Sequence, residues 1–100
     1  MSSEPSKKFI VAISDANAQK RDAISTRLKD RGFGYWHWMP DIWLLTTSSS
    51  VTAVSIRDSV MKAAPGVNVF VTPIATPPDG IDWALYAPEE WSEWLKKNWS

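Results

Sequence analysis

The sequence predicts an α+β fold, a ferredoxin-like βαββαβ sandwich that continues into a C-terminal arm and a short tryptophan-rich helix. Two stretches repeat apolar residues at helical spacing, and four others have the apolar, β-branched character of strands. Their order is strand, helix, strand, strand, helix, strand. Two right-handed strand–helix–strand units joined by a hairpin produce this architecture, and 100 residues are enough for one such domain.

Three parts are expected along the chain. Residues 1–7 are polar and predict a disordered leader, and residues 8–74 form the ferredoxin-like domain. Residues 75–100 form the arm and its helix, which pack on the sheet or on a partner subunit.

The first strand and the first helix have the clearest patterns. KKFIVAIS is a near-continuous apolar run, typical of a strand at the centre of a sheet. DANAQKRDAISTRLKDRG then predicts a helix with an apolar stripe of Ala16, Ala23, Ile24 and Leu28. Gly32 lies where a C-terminal glycine stop belongs. The candidate N-terminal caps are Ser14, Asp15 and Asn17.

YWHWM and DIWLLTT predict a hairpin, because Pro40 and Asp41 between them suit the central positions of a turn. A two-residue loop would pair Trp36 with Leu45 and His37 with Leu44. Because strand side chains alternate, one face would then carry Trp36, Trp38, Trp43 and Leu45. The other face would carry Tyr35, His37, Met39, Ile42 and Leu44.

The second half of the chain repeats the alternation of helix and strand. SSSVTAVSIRDSVMKAAPG predicts a helix capped by a serine of the 48–50 run, with a stripe of Ala53, Ile56, Val60 and Ala64. VNVFVTPI is a strand, with Val67, Val69 and Val71 on one side. An irregular arm leads to PEEWSEWLKKNW, a helix with Pro88 in its first turn. Its apolar stripe consists of Trp91, Trp94, Leu95 and Trp99.

The amino-acid composition argues against several classes of function. Lysine plus arginine equals aspartate plus glutamate, which argues against tight, charge-driven binding of nucleic acid. The chain has no cysteine, so disulfides and thiolate chemistry are excluded. No apolar run reaches the roughly 18 residues that span a bilayer, and we expect a soluble, cytoplasmic protein without a membrane partner.

The two main helices can cover only one face of the predicted sheet. A large exposed apolar face marks an interface or a liability, so the other face needs a cover. The tryptophan-rich terminal helix and a second copy of the chain are the two candidates.

These features resemble a family of small bacterial proteins described as SinR-like, related to the VapD toxins and to the small dimeric subunit of the CRISPR adaptation complex. The resemblance rests on FIVAIS-D, KRDAISTRLKDRG, the YWHWMPDIWLLTT hairpin, VNVFVTPI and the ending GIDWALYAPEEWSEWLKKNW. It implies a ferredoxin-like homodimer whose sheets meet face to face. It also implies that the segment after the last main strand pairs with the partner's sheet.

Asp15 is the first candidate site residue. In nuclease members of the wider group, an acidic residue at the end of the first strand is implicated in metal binding, and Asp15 has the matching position. Ser14 stands where those members often have a tyrosine. Asp15 is therefore either a magnesium ligand, one from each subunit, or a helix cap.

His37 and the tryptophans each have two interpretations. His37, the single histidine, is either a general base or metal ligand, or a packed neighbour of Leu44 across the hairpin. The hairpin indoles either stack on bases or sugars, or pack in the core or dimer interface. The second interpretation is favoured because the hairpin has no lysine or arginine. It covers Trp36, Trp38, Trp43, Trp91, Trp94 and Trp99.

The first helix is the candidate nucleic-acid surface. It and its end carry Lys20, Arg21, Arg27, Lys29 and Arg31. Asp22 and Asp30 dilute this charge, which favours a solvated helix face.

The sequence leaves two main functional hypotheses. The first is a homodimeric, non-catalytic binding or interaction module without a cofactor, associated with nucleic acid as a further partner. The alternative is a magnesium-dependent ribonuclease or deoxyribonuclease that uses Asp15 from each subunit.

Overall fold

A computed structural model describes residues 6–99 and shows an α+β fold with one four-stranded antiparallel sheet and three helices. A short 3₁₀ helix, Glu89–Ser92, precedes the last α-helix. The elements, in chain order, are β1 (Ser6–Ser14), α1 (Ala18–Asp30), β2 (Gly34–Trp36), β3 (Ile42–Ser48), α2 (Ala53–Ala63), β4 (Asn68–Ile74) and α3 (Glu93–Asn98).

The strands lie in the order β2-β3-β1-β4, so β1 is central as its apolar sequence predicts. β1 pairs antiparallel with both β3 and β4, and β2 pairs antiparallel with β3. The predicted leader, residues 1–7, lies mostly outside the described residues. Ser6 and Lys7 already belong to β1.

α1 and α2 pack on one face of the sheet, which we call the inner face. The predicted helix stripes supply the buried residues Ile24 and Leu28 from α1, and Ile56 and Val60 from α2. The strands contribute the alternate residues that point the same way: Phe9, Val11, Ile13, Trp43 and Leu45. Val67, Val69 and Val71 pack against this core from the side of β4, as the alternation predicts.

The ends of α1 follow the sequence signals closely. The Asn17 side chain accepts from the backbone N–H of Lys20, so the cap is one of the three predicted candidates. Gly32 has φ of +82°. The N–H of Gly32 donates to the Lys29 carbonyl, and the N–H of Phe33 donates to the Leu28 carbonyl. These two bonds form the Schellman motif, in which glycine is favoured.

The predicted cap of α2 is wrong. Thr52 begins the helix, and its hydroxyl accepts from the Ser55 N–H at 3.2 Å. The Ser55 hydroxyl pairs with the Thr52 N–H in return, which completes a capping box. The serines at 48–50 instead end β3 and form the turn after it. Thr52 and Ser55, three residues apart, therefore mark the start of α2 better than the serines at 48–50 do.

The predicted register of the hairpin is also wrong, by one residue. Tyr35 is the partner of Leu45, and Trp36 is the partner of Leu44. The predicted turn does form, because the N–H of Ile42 donates to the Met39 carbonyl. A turn that begins with proline splays hairpin strands, since its twist opposes theirs. β2 therefore ends at residue 36, and residues 37–41 form a wider loop.

This one-residue shift separates tryptophans that the sequence places together. Trp43 and Leu45 lie in the inner core, whereas Trp36 lies on the opposite face with Leu44. Within residues 6–99, no helix has the length and apolar character needed to cross a membrane.

Candidate functional site

The sheet face opposite α1 and α2, which we call the outer face, carries the candidate site. The strand registers arrange its side chains in three cross-strand rows. The covered row is Gly34–Thr46–Lys8–Ile74, the middle row is Trp36–Leu44–Ile10–Thr72, and the open row is Ile42–Ala12–Phe70.

The C-terminal segment covers much of this face. Two indole N–H groups attach it to the sheet: Trp36 Nε1 donates to the Trp91 carbonyl at 2.7 Å, and Trp99 Nε1 donates to the Leu45 carbonyl at 3.2 Å. These bonds satisfy polar groups that burial would otherwise penalise. Trp36, Leu95 and Trp99 are buried there, and Ile81, Trp83, Leu85, Trp91 and Trp94 pack around them.

The covered row lies directly under this segment. A Cβ on Gly34 would lie 3.6 Å from Cζ2 of Trp94 and 2.9 Å from Cγ2 of Thr46. The Thr46 hydroxyl accepts from Lys8 Nζ at 2.8 Å. Burial lowers the pKa of the Lys8 ammonium, because desolvation disfavours its charged form. The C-terminal helix therefore lies next to this end of the outer face.

A cavity of about 260 Å³ lies over the middle row, between the sheet and the arm. Its lining is apolar and aromatic, and consists of Ile10, Trp36, Met39, Ile42, Leu44, Trp83, Ala84, Leu85, Leu95 and Trp99. The indole N–H groups of Trp36 and Trp99 are both engaged by carbonyls. The arm and the C-terminal helix thus cover the middle row but leave a cavity between themselves and the sheet.

Within residues 6–99, the open row is only partly covered: Ile42 and Ala12 are half-buried, and Phe70 is exposed. Phe70 is 63% exposed, and next to it lies a groove of about 210 Å³ lined by Ala12, Ile13, Ser14, Asn68, Val69 and Phe70. Other exposed apolar residues are Trp38, which stacks on Trp91 with centroids 5.4 Å apart, Met39 and Tyr86, and, on α2, Val54 and Met61. An exposed aromatic residue such as Phe70 beside an apolar groove is typical of an interaction surface.

Asp15 lies at the polar end of this groove, directly after β1. Its φ is +63°, a conformation that is uncommon outside glycine. The Asn68 side-chain amide donates to Asp15 Oδ2 at 2.8 Å and to Ser14 Oγ at 3.0 Å. Asp15 is therefore not the cap of α1, which is Asn17.

The surroundings of Asp15 do not form a ready metal centre. Among residues 6–99, no cluster of three or more histidine, cysteine or acidic side chains could hold a metal ion. The nearest partner of the carboxylate is an amide N–H₂, which is a donor and not a metal ligand.

His37 belongs to the packing of the inner core. Its ring stacks on Trp43, with centroids 3.9 Å apart. Nε2 lies 2.8 Å from the Pro40 carbonyl, which can only accept, so Nε2 carries a proton. In the neutral ring Nδ1 then accepts from Ser25 Oγ at 3.3 Å, and Ser25 in turn accepts from Trp43 Nε1 at 3.0 Å. This chain of hydrogen bonds holds the loop at 37–41 against α1. It also corrects the expectation that His37 faces Leu44, whose partner is Trp36.

The cations of α1 do not form one continuous phosphate-facing surface. Arg21 Nε pairs with Asp41 Oδ1 at 3.0 Å. Arg31 donates to the Ser55 carbonyl and to Ser59 Oγ, and it lies over the Phe33 ring. Arg27 borders a shallow groove that also contains Asp22 and Asp30. Lys20 Nζ lies near Gly66, and Lys29 is exposed.

The structure divides the six singled-out tryptophans into two groups. Trp43 is in the inner core, and the others lie on the outer side: Trp36, Trp38, Trp91, Trp94 and Trp99. The sequence interpretation did not single out Phe70, Ala12 or Tyr86. Phe70 had a usable signal, since it alternates with Val69 and Val71, which were assigned to the opposite side. Tyr86 also had a signal, since the apolar residues Ile81, Trp83 and Leu85 alternate along the arm and leave Tyr86 on the other side, but the arm was interpreted as irregular.

Comparison with known proteins adds a likeness of fold. No protein-family model matches the chain, and no curated protein matches it significantly. A solved structure does: the crystal structure of an unknown protein from Galdieria sulphuraria, with a TM-score of 0.55 and 13% sequence identity. The match covers 85% of this chain and 50% of that protein, so the chain spans about half its length. At this identity the likeness concerns the fold alone.

Proposed function

We propose that this protein is a non-catalytic interaction module that forms a homodimer through the outer face of its sheet. The partner is a second copy of the chain, which covers the open row. The observation that supports the proposal is an apolar strip that the described C-terminal segment covers only in part, where Phe70 is 63% exposed.

The proposed architecture is the ferredoxin-like sandwich. The strand order β2-β3-β1-β4 and the two helices on one face agree with two strand–helix–strand units joined by a hairpin. Such a sandwich leaves its second face free for a cover. Here the cover is divided between the chain's own terminal helix and the proposed partner.

The amount of exposed aromatic surface fits a modest dimer interface. The exposed fractions of Trp38, Phe70 and Tyr86 together equal about two whole aromatic residues. At about 150–250 Å² each, they would bury roughly 300–500 Å². This is around half of the ~800 Å² per partner in a standard interface. The net charge of zero also removes overall repulsion between copies.

Analytical ultracentrifugation over a range of concentrations tests the proposal. We expect the wild-type protein to sediment with twice the mass of one chain, and Phe70→Ser to shift it toward the monomer. Met61→Ser is the matched control, because Met61 is 50% exposed but lies on α2, which packs on the inner face. Circular dichroism checks that each variant is folded. A wild-type protein that stays monomeric at the highest concentration contradicts the proposal.

The alternative, a magnesium-dependent nuclease, has weaker support. Asp15 is exposed and has a strained backbone, as functional residues sometimes do. Its Oδ2 accepts from the Asn68 amide, however, so a metal ion would share the carboxylate with that contact. The nuclease gains support only if the purified protein cleaves nucleic acid with Mg²⁺ and Asp15→Asn abolishes the cleavage.

A further inference from the structure

We propose that each copy in the dimer inserts Tyr86 into its partner's groove at the open row. The ring would lie over Ala12 and against Phe70, and the hydroxyl would reach the Ser14–Asn68 end. This inference rests on the proposed homodimer and names the residue that anchors it.

The first support is the way the arm presents Tyr86. Along residues 81–87, partly buried and exposed positions alternate. Ile81, Trp83 and Leu85 pack on the outer cluster, so Tyr86 points away from it. Tyr86 is fully exposed, although its neighbour Leu85 is held in the wall of the cavity. An aromatic residue fixed by its neighbours, with only two side-chain torsions, loses little entropy on binding.

The second support is the chemistry of the groove. Ala12 and Phe70 give this groove an apolar lining on the outer face, while Ser14 and Asn68 provide polar atoms at one end. A tyrosine has the same division between an apolar ring and a polar tip. The volume of about 210 Å³ is sufficient, since about 150 Å³ accommodates a benzene ring.

The third support is symmetry. A two-fold dimer uses the same surface on both copies, so the surface must be self-complementary. Each copy has one fully exposed aromatic residue on the arm and one groove at the open row. Ile42 belongs to the open row and also lines the cavity that Ala84 and Leu85 border, so the arm reaches the edge of this row. In the proposed two-fold dimer, each copy gives one tyrosine and receives one.

Sedimentation equilibrium of Tyr86→Ser is the first test. Truncation of a central aromatic anchor typically weakens association by roughly thirtyfold, and we expect a loss of this size. Met61→Ser again serves as the control and should leave the dissociation constant unchanged. A dimer that forms with Tyr86→Ser as tightly as with wild type overturns the inference but leaves the homodimer standing. A monomeric wild type overturns both.

Chemical cross-linking gives a second, independent test, because the natural chain has no cysteine. Ala87→Cys, which keeps the neighbouring Tyr86 in place, and Asn68→Cys are prepared separately with tags of different size, mixed, and treated with a short bis-maleimide. We expect a mixed product from this pair. Ala87→Cys with Met61→Cys should give no mixed product. If the two pairs cross-link equally, Tyr86 does not lie in the partner's groove.

Discussion

The absence of a side chain at Gly34 avoids a steric clash with Thr46 on the neighbouring strand β3. A Cβ there would come within 2.9 Å of Thr46 Cγ2, a separation that real Cβ atoms essentially never show. Thr46 cannot easily turn away, because its hydroxyl is held by Lys8. The requirement at position 34 is therefore steric, in contrast to Gly32, where φ is +82° and the space is open.

We predict that Gly34→Ala lowers the free energy of unfolding by about 1–3 kcal/mol, the usual cost of overpacking. Thr46→Ser removes the clashing methyl group and keeps the hydroxyl for Lys8. In that background, Gly34→Ala should instead be neutral or stabilising by about 0.4–1 kcal/mol, since alanine restricts the unfolded chain. Urea unfolding of the four proteins measures both effects. An equal loss in the two backgrounds would show that the methyl contact is not the cause.

At the same scale, the opposite positions of Trp36 and Trp43 show where sequence reasoning loses information. Their apolar character was enough to predict burial, and both are buried. The face that each occupies depends on the hairpin register, and a one-residue slip reverses every side chain. Proline at position 40 predicted the turn correctly. It did not reveal that the loop would extend back to residue 37.

At the scale of elements, the two main helices end where local chemistry dictates. Gly32, Asn17 and the apolar stripes were recognisable because such signals act over a few residues. The start of α2 was misassigned because several hydroxyl residues compete before it, at positions 48–50 and 52. Only the structure shows which hydroxyl faces the free N–H groups of the first turn.

We predict that Thr52→Ala costs about 1 kcal/mol of stability, as expected for the loss of an N-cap. Ser50→Ala is the matched control. The Ser50 hydroxyl lies 3.2 Å from the exposed Ser48 hydroxyl. A substitution at such an exposed position should change the free energy of unfolding by no more than about 0.5 kcal/mol. Urea unfolding monitored by circular dichroism compares the two variants. If Ser50→Ala is the more destabilising, the assignment of the cap is wrong.

At the scale of the whole molecule, the order of helices and strands could be predicted from the hydrophobic periodicity of the sequence, but the candidate site on the outer face could not. Four strands and two main helices could be predicted because each period is a local property. The open row joins Ile42, Ala12 and Phe70, which meet only because β1 lies between β3 and β4. The sequence did identify the outer face as needing a cover, and it named the terminal helix as one of two candidates. The part of the outer face that the terminal helix leaves uncovered depends on packing between distant parts of the chain. No short stretch of sequence determines this packing.

The sheet separates two apolar clusters, and the outer one depends on the end of the chain. Trp99 is buried there and donates to the Leu45 carbonyl, so it links the last residues of the chain to the middle of β3. A domain of this size has only about 5–15 kcal/mol of net stability. Removing one large buried side chain from the thinner cluster therefore affects a considerable share of the total.

We predict that Trp99→Ala lowers the free energy of unfolding by about 3–5 kcal/mol, and that Trp38→Ala, which removes a half-exposed indole, costs much less. Both are measured in the Phe70→Ser background, so that association contributes nothing to the apparent stability. Hydrogen exchange should show lost protection first in α3 and the 3₁₀ helix, and only later in α1, which packs on the other side of the sheet. If Trp99→Ala unfolds at the same urea concentration as its parent, the C-terminal segment is not part of the cooperative fold. The outer face would then be open along its whole length in one copy of the chain, and the proposed dimer would have to cover all three rows.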